Sequence, residues 1–135
     1  MADIRPGRPA ASLTFDDAVW REEVERYASG SGPRVAGEAA RRKLERSLPG
    51  RGFKACAAEG PDGTRLPKCV KLFVPLARSG SASAPYGFVF EAALAGTPAT
   101  LELRLLAFGE RHPPPGVRSV YERAHKRLHR RYPDQ

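Results

Sequence analysis

Redox and metal chemistry have little to work with in this chain, which carries two cysteines, three histidines, one methionine and one tryptophan in 135 residues. Cys56 and Cys69 are too few and too far apart for a zinc knuckle or a C-x-x-C redox pair, so both read as reduced thiols of a cytosolic protein. No apolar run reaches the roughly 18 residues that a membrane-spanning helix needs. The opening MADIRPGRPAAS lacks the apolar core of a secretory signal. A soluble, cytoplasmic protein with no membrane partner is the expectation. A Gly-rich phosphate loop is also missing: Gly30-Ser31-Gly32 follows a helical pattern where a strand would be needed. No cofactor and no metal are therefore expected.

Acidic residues are scarce too, at 15 against 23 lysines and arginines, which leaves a net charge of +8 and a pI near 10.1. The acids cluster at Asp16, Asp17, Glu22, Glu23 and Glu25, away from the histidines, and this gives no support to Ser-His-Asp or paired-carboxylate hydrolysis. An excess of positive charge favours a polyanionic partner: nucleic acid, an acidic protein or an anionic membrane surface. Charge alone does not choose among them.

At this length one domain is expected. Residues 1–13, rich in Pro, Gly and Ala with two arginines, read as a loose arm, residues 14–132 as the domain and 133–135 as a tail. Thr14 with Asp17 can cap a first helix bearing Trp20, Val24 and Tyr27, which Ser29-Gly30-Ser31-Gly32 stops. Pro33 suits the first turn of a second helix, whose stripe of Ala36, Ala40, Leu44 and Leu48 lies opposite Arg34, Arg41, Arg42, Lys43 and Arg46.

Strands are expected next, a short edge strand over Phe53–Ala58 and a second over Cys69–Ala77, which Pro75 demotes to an edge or a bulge. A cleaner strand runs from Tyr86 to Leu94, with Phe88, Phe90, Ala92 and Leu94 on one face. The strand after it places Leu101, Leu103, Leu105 and Ala107 on one face and Leu106 and Phe108 on the other, as expected of a central strand covered on both sides. It ends at Gly109, before Glu110, Arg111, His112 and three prolines that hold the loop extended. Ser119-Val120-Tyr121-Glu122 has capping-box spacing, so a closing helix starts there. Val120, Ala124 and Leu128 face inward, while Arg118, Arg123, Lys126, Arg127, Arg130 and Arg131 face mostly outward. The fold class is α+β: an N-terminal helical hairpin packed on a small, mostly antiparallel sheet and closed by a C-terminal helix.

Leu66-Pro67-Lys68, the run Leu105 to Arg111, and Val120-Tyr121-Glu122-Arg123-Ala124-His125-Lys126-Arg127 together resemble the RelE/ParE superfamily of bacterial toxins, including its HigB-like branch. The likeness spans roughly Phe15 to Leu128 and is most specific in the closing segment. It implies the toxin of a type II toxin–antitoxin pair, a metal-independent endoribonuclease acting on mRNA at the ribosome, with a cognate acidic antitoxin as partner. Many ribosome-dependent members carry an arginine in the penultimate strand, where Tyr86-Gly87-Phe88-Val89-Phe90 stands here. A catalytically lapsed module that binds nucleic acid or protein, or a gyrase-directed ParE-like toxin, are the alternatives.

RNA cleavage without metal needs a base for the 2′-hydroxyl, an acid for the leaving oxygen and cations for the charge that develops on phosphate. Arg111, His112, Tyr121 and His125 are the catalytic candidates. Lys68, Lys71, Arg104, Arg118, Arg123, Lys126 and Arg127 are the nucleic-acid-binding candidates. Each has a plainer reading as well: Tyr121 as a packing residue, His112 as an exposed loop residue, Lys68 and Lys71 as charges that blunt an edge strand. His125 and His129 share a helix face at metal-ligand spacing, but no nearby cysteine or carboxylate completes a site.

Overall fold

Alternating apolar residues build the two longest strands, β4 (Tyr86–Ala95) and β5 (Thr100–Glu110), joined through Gly96, whose φ of +83° suits a residue without Cβ. In this computed structural model, which describes residues 10–46, 53–56, 64–76, 85–97 and 99–131, three more strands join them: β1 (Ala10–Thr14), β2 (Phe53–Ala55) and β3 (Cys69–Val74). The sheet order is β1-β5-β4-β3-β2, with β1 parallel to β5 and every other pair antiparallel. Helices α1 (Asp17–Glu23), α2 (Gly32–Arg46) and α3 (Val120–Arg131) complete an α+β fold.

One sheet face carries Phe88, Phe90, Leu105 and Phe108 and is covered by Trp20 and Val24, at the first helix, and by Leu44 of α2. Gly37 in α2 lets the helix come close, since a Cβ there would stand 3.2 Å from Phe108 and 3.3 Å from Val24. The other face carries Val89, Leu106 and Ala107 beneath Val120, Ala124 and Leu128 of α3, the inward stripe expected from the sequence. Ser119 begins that helix as its spacing predicts. Its amide donates to Glu122 Oε1 at 3.0 Å, and the Glu122 amide donates to Ser119 Oγ at 3.2 Å.

Several expectations are corrected. The arm expected over residues 1–13 gives its last residues to β1, because Ala10–Thr14 pairs in register with Thr100–Arg104; residues 1–9 lie outside the described residues, as does the tail at 133–135. With Thr14 inside a strand, Asp16 caps α1 in its place, accepting from the amides of Ala18 and Val19 at 3.0 and 3.2 Å. Pro75 marks no edge: β3 lies between β2 and β4 and stops at Val74, so the proline ends an interior strand. Phe90 pairs with Leu105 and Val89 with Ala107, which leaves Leu106 as an extra residue. That bulge turns Ala107 to the α3 face, away from Leu105, and returns Phe108 to the α1–α2 face.

The bulge also bears on where β5 is central. Its first half lies between β1 and β4, but β1 ends at Thr14, and from Leu105 onward the strand has a free edge. Side chains cover the backbone groups there. Glu23 accepts from the Phe108 amide at 3.1 Å, Arg26 donates to the Phe108 carbonyl at 2.9 Å, and Arg127 donates to the Leu106 carbonyl at 2.8 Å. Groups occupied in this way are not offered to a foreign strand.

Candidate functional site

The loop after β5 is anchored at its start by the Arg111 amide, which donates to the Pro85 carbonyl at 2.8 Å, and at its end by the Ser119 cap. Between these anchors, Pro113 to Pro115 and the turn at Gly116 (φ +90°) form one wall of a cleft of about 830 Å³. Thr64, Leu66 and Cys56 line the side across from them, and Lys71, Arg111 and Tyr121 form its basic end. His112 and Arg118 also line it, both exposed.

Arg111 is the centre of this end. Its side chain crosses β4 at Gly87, where a Cβ would lie 3.4 Å from Arg111 Cγ, and its guanidinium carbon comes to rest 3.7 Å from the ring centroid of Phe73 in β3. From there Nε donates to the Tyr121 phenol oxygen at 3.3 Å. The Lys71 ammonium sits 5.3 Å from the centroid of the Tyr121 ring. A phenol, a guanidinium and an ammonium thus share one half-buried corner that opens into the cleft. Two contributors went unnoticed in the sequence: Phe73, which carries the guanidinium, and Lys54 of β2, whose ammonium lies 4.9 Å from the same ring. Their alternation on β2 and β3 was visible, but the partner that gives it meaning is far along the chain.

Arg111, His112, Tyr121, Lys71 and Arg118 are therefore brought together, and the remaining candidates are not. His125 accepts from the Arg65 amide at Nδ1 (2.8 Å) and packs on His129 with ring centroids 4.2 Å apart; it does not line the cleft. Lys68, with a strained φ of +58°, lines a separate pocket of about 840 Å³ with Glu91, Leu94 and Leu128. Arg104 is exposed mid-strand opposite Glu91, and Lys126 is exposed on α3 outside the cleft lining.

Arg123 and Arg127 do not face outward as expected. They converge on Glu23, whose side chain is only 2% exposed. Arg123 donates to it from Nε at 2.9 Å and Nη2 at 2.7 Å, and Arg127 from Nη2 at 2.9 Å, while Glu22 accepts from Arg127 at 2.8 Å. Burial pushes the Glu23 carboxyl up, but the bonds and charge of Arg123, the Phe108 amide and Arg127 outweigh it and hold the group below its ordinary 4.5. This network joins α1 to α3 around the free edge of β5.

Cysteine nucleophilicity is weak here, since burial pushes the Cys56 thiol up to about 11 and the Cys69 thiol up to about 12. Among the described residues no group of three or more His, Cys, Asp or Glu side chains is placed to hold a metal ion, and no helix is long and apolar enough to cross a membrane. No family model, curated protein or solved structure matches the chain.

Proposed function

We propose that the chain is a metal-independent endoribonuclease of the RelE/ParE kind, the toxin of a type II toxin–antitoxin pair, acting on mRNA at the ribosome in the cytoplasm and held inactive by an acidic antitoxin. The observation that carries this reading is the Arg111–Tyr121 hydrogen bond at the basic end of the cleft, with Lys71 over the same phenol.

In the proposed reaction the 2′-oxygen attacks the adjacent phosphorus, a 2′,3′-cyclic phosphate forms and the 5′-oxygen leaves. One group takes the 2′-hydroxyl proton and another supplies a proton to the leaving oxygen. Tyr121 and His112 are the proton-transfer groups within reach of the cleft. Arg111 and Lys71 balance the charge that grows on the phosphate oxygens. The strand arginine that many members of that superfamily carry is replaced by Gly87, yet the aliphatic part of Arg111 fills the space above that glycine and carries its guanidinium onto Phe73 of the neighbouring β3. That placement supports retained chemistry over a lapsed fold.

Induced expression in a bacterium with mapping of mRNA 5′ ends tests the proposal. The native chain arrests growth and produces new ends, and Tyr121→Phe and Arg111→Ala abolish both. Harmless expression with intact mRNA sinks it. Growth arrest with intact mRNA and loss of DNA supercoiling selects the gyrase-directed reading.

A further inference from the structure

The two cysteines of the chain, Cys56 just after β2 and Cys69 at the start of β3, face each other across the strand pair. In the β2–β3 ladder Phe53 pairs with Leu72, Lys54 with Lys71 and Ala55 with Val70, so the next rung sets Cys56 opposite Cys69. The Cys56 amide donates to the Cys69 carbonyl at 3.0 Å, which makes that rung a hydrogen-bonded one. Opposed side chains leave the same face, and both thiols pack into the cluster beneath α3, with Val89, Leu106 and Ala107. Opposed α-carbons on such a rung lie about 5.5 Å apart, within the span of a disulfide, but their β-carbons lie about 1 Å farther apart than the bond prefers. A disulfide closed there is strained, and strain makes it easy to reduce. Cys69 Sγ donates to the Pro67 carbonyl at 3.4 Å, a weak thiol bond that costs little to give up.

We infer that Cys56 and Cys69 are a reversible dithiol–disulfide pair in the cleft wall, oxidised by a small-molecule disulfide of the glutathione kind. Cys56 is half-buried and lines the cleft, so it meets the oxidant first, while Cys69 is only 3% exposed and closes the bond. The Cys56 thiolate attacks one sulfur of glutathione disulfide; a Cys56–glutathione bond forms, the glutathione S–S bond breaks, and one glutathione thiolate leaves and takes up a proton. The Cys69 thiolate then attacks the Cys56 sulfur and expels the second glutathione. Two protein thiols are thereby oxidised and one glutathione disulfide is reduced to two thiols. The burial that pushes both thiols up keeps thiolate scarce, so the first attack is slow. Thr64 and Leu66, which share the cleft wall, lie between the two cysteines in the chain, so the bond closes them into a covalent ring whether or not the cleft cuts RNA.

The test counts thiols on the full folded chain after incubation with excess glutathione disulfide, an acid quench, unfolding and maleimide labelling, together with intact mass and peptide mapping. The native chain loses both reactive thiols and two hydrogens, stays monomeric on a non-reducing gel, yields a Cys56–Cys69 cross-linked peptide and regains both thiols in excess reduced glutathione. Cys69→Ala halts with one glutathione on Cys56, and Cys56→Ala keeps Cys69 unmodified. Should Cys69→Ala, at a buried position, fail to fold, the cross-linked peptide of the native chain decides alone. Two thiols still free after incubation, a chain carrying two glutathiones, or disulfides only between chains overturns the inference. A Cys56–Cys69 bond that forms only in denaturant, or one that excess reduced glutathione does not open, overturns it as well.

Discussion

Two groups of cations flank the closing helix, and their surroundings differ. Arg123 and Arg127 are matched by Glu23 and Glu22 in a shielded network. Lys54 and Lys71 stand with Arg111 around Phe73, half-exposed or exposed, and the lysines have no carboxylate among the described residues. Tyr121 lies two residues before Arg123 and six before Arg127 on the same helix. The closing helix borders both groups: its Tyr121 meets Lys71 and Arg111, and its Arg123 and Arg127 are bound to Glu23. Where Glu22 and Glu23 are present the cations hold the fold together.

Breaking the matched group should have the largest effect. Glu23→Ala strands two guanidiniums and leaves the Phe108 amide unpaired, at a cost of about 3 kcal/mol in chemical denaturation. The same substitution should loosen the closing helix and, under the proposed nuclease function, lower cleavage through the fold, so activity and stability fall together.

The cleft end should behave in reverse. Tyr121→Phe removes one hydroxyl and its bond to Arg111, which costs about 1 kcal/mol of stability or less, while under the proposed nuclease function cleavage falls about 100-fold, as the loss of a proton-transfer group would give. Comparable losses of stability and activity would place Tyr121 with the structural residues.

Acid sharpens the contrast further. Because Glu23 is held below its ordinary 4.5 in the folded chain, its contribution is complete above that pH and is lost as pH falls from there through the lower folded value. Denaturation midpoints followed below pH 5 should therefore drop in the native chain and drop less steeply in Glu23→Gln. A Glu23→Gln curve parallel to the native one would mean that other carboxylates dominate acid unfolding.

The smallest effect tests the joint between the two groups. Ser119→Ala removes one side of the capping box and should cost about 1 kcal/mol, with a modest loss of activity as the first turn, which carries Tyr121, frays. Thermal unfolding and cleavage measured on the same preparation check it.

Much of this was legible along the chain where the governing contacts are local. The Ser119–Glu122 cap, the Val120, Ala124, Leu128 stripe and the alternation of β4 follow from spacings of two to four residues, and the structure has them as read. What could not be read depends on partners far apart in sequence. Ala10–Thr14 is a strand only because Thr100–Arg104 lies beside it. Arg123 and Arg127 turn inward only because Glu23, a hundred residues earlier, is buried at the β5 edge. The site was partly visible for the same reason. Arg111 and Tyr121 are ten residues apart and share a loop and a helix turn, whereas Lys54 and Phe73 gain their roles by strand pairing and by the gap above Gly87.

The parallel seam between β1 and β5 sets an order of assembly. Ala10 has its partner in Thr100, so the first strand waits through synthesis of nearly the whole sheet before it can be seated, and the helix that supplies the phenol emerges later still. A nascent chain therefore carries separate pieces of the cleft for most of its synthesis, and the corner of Arg111 and Tyr121 cannot be complete until the closing helix has been made.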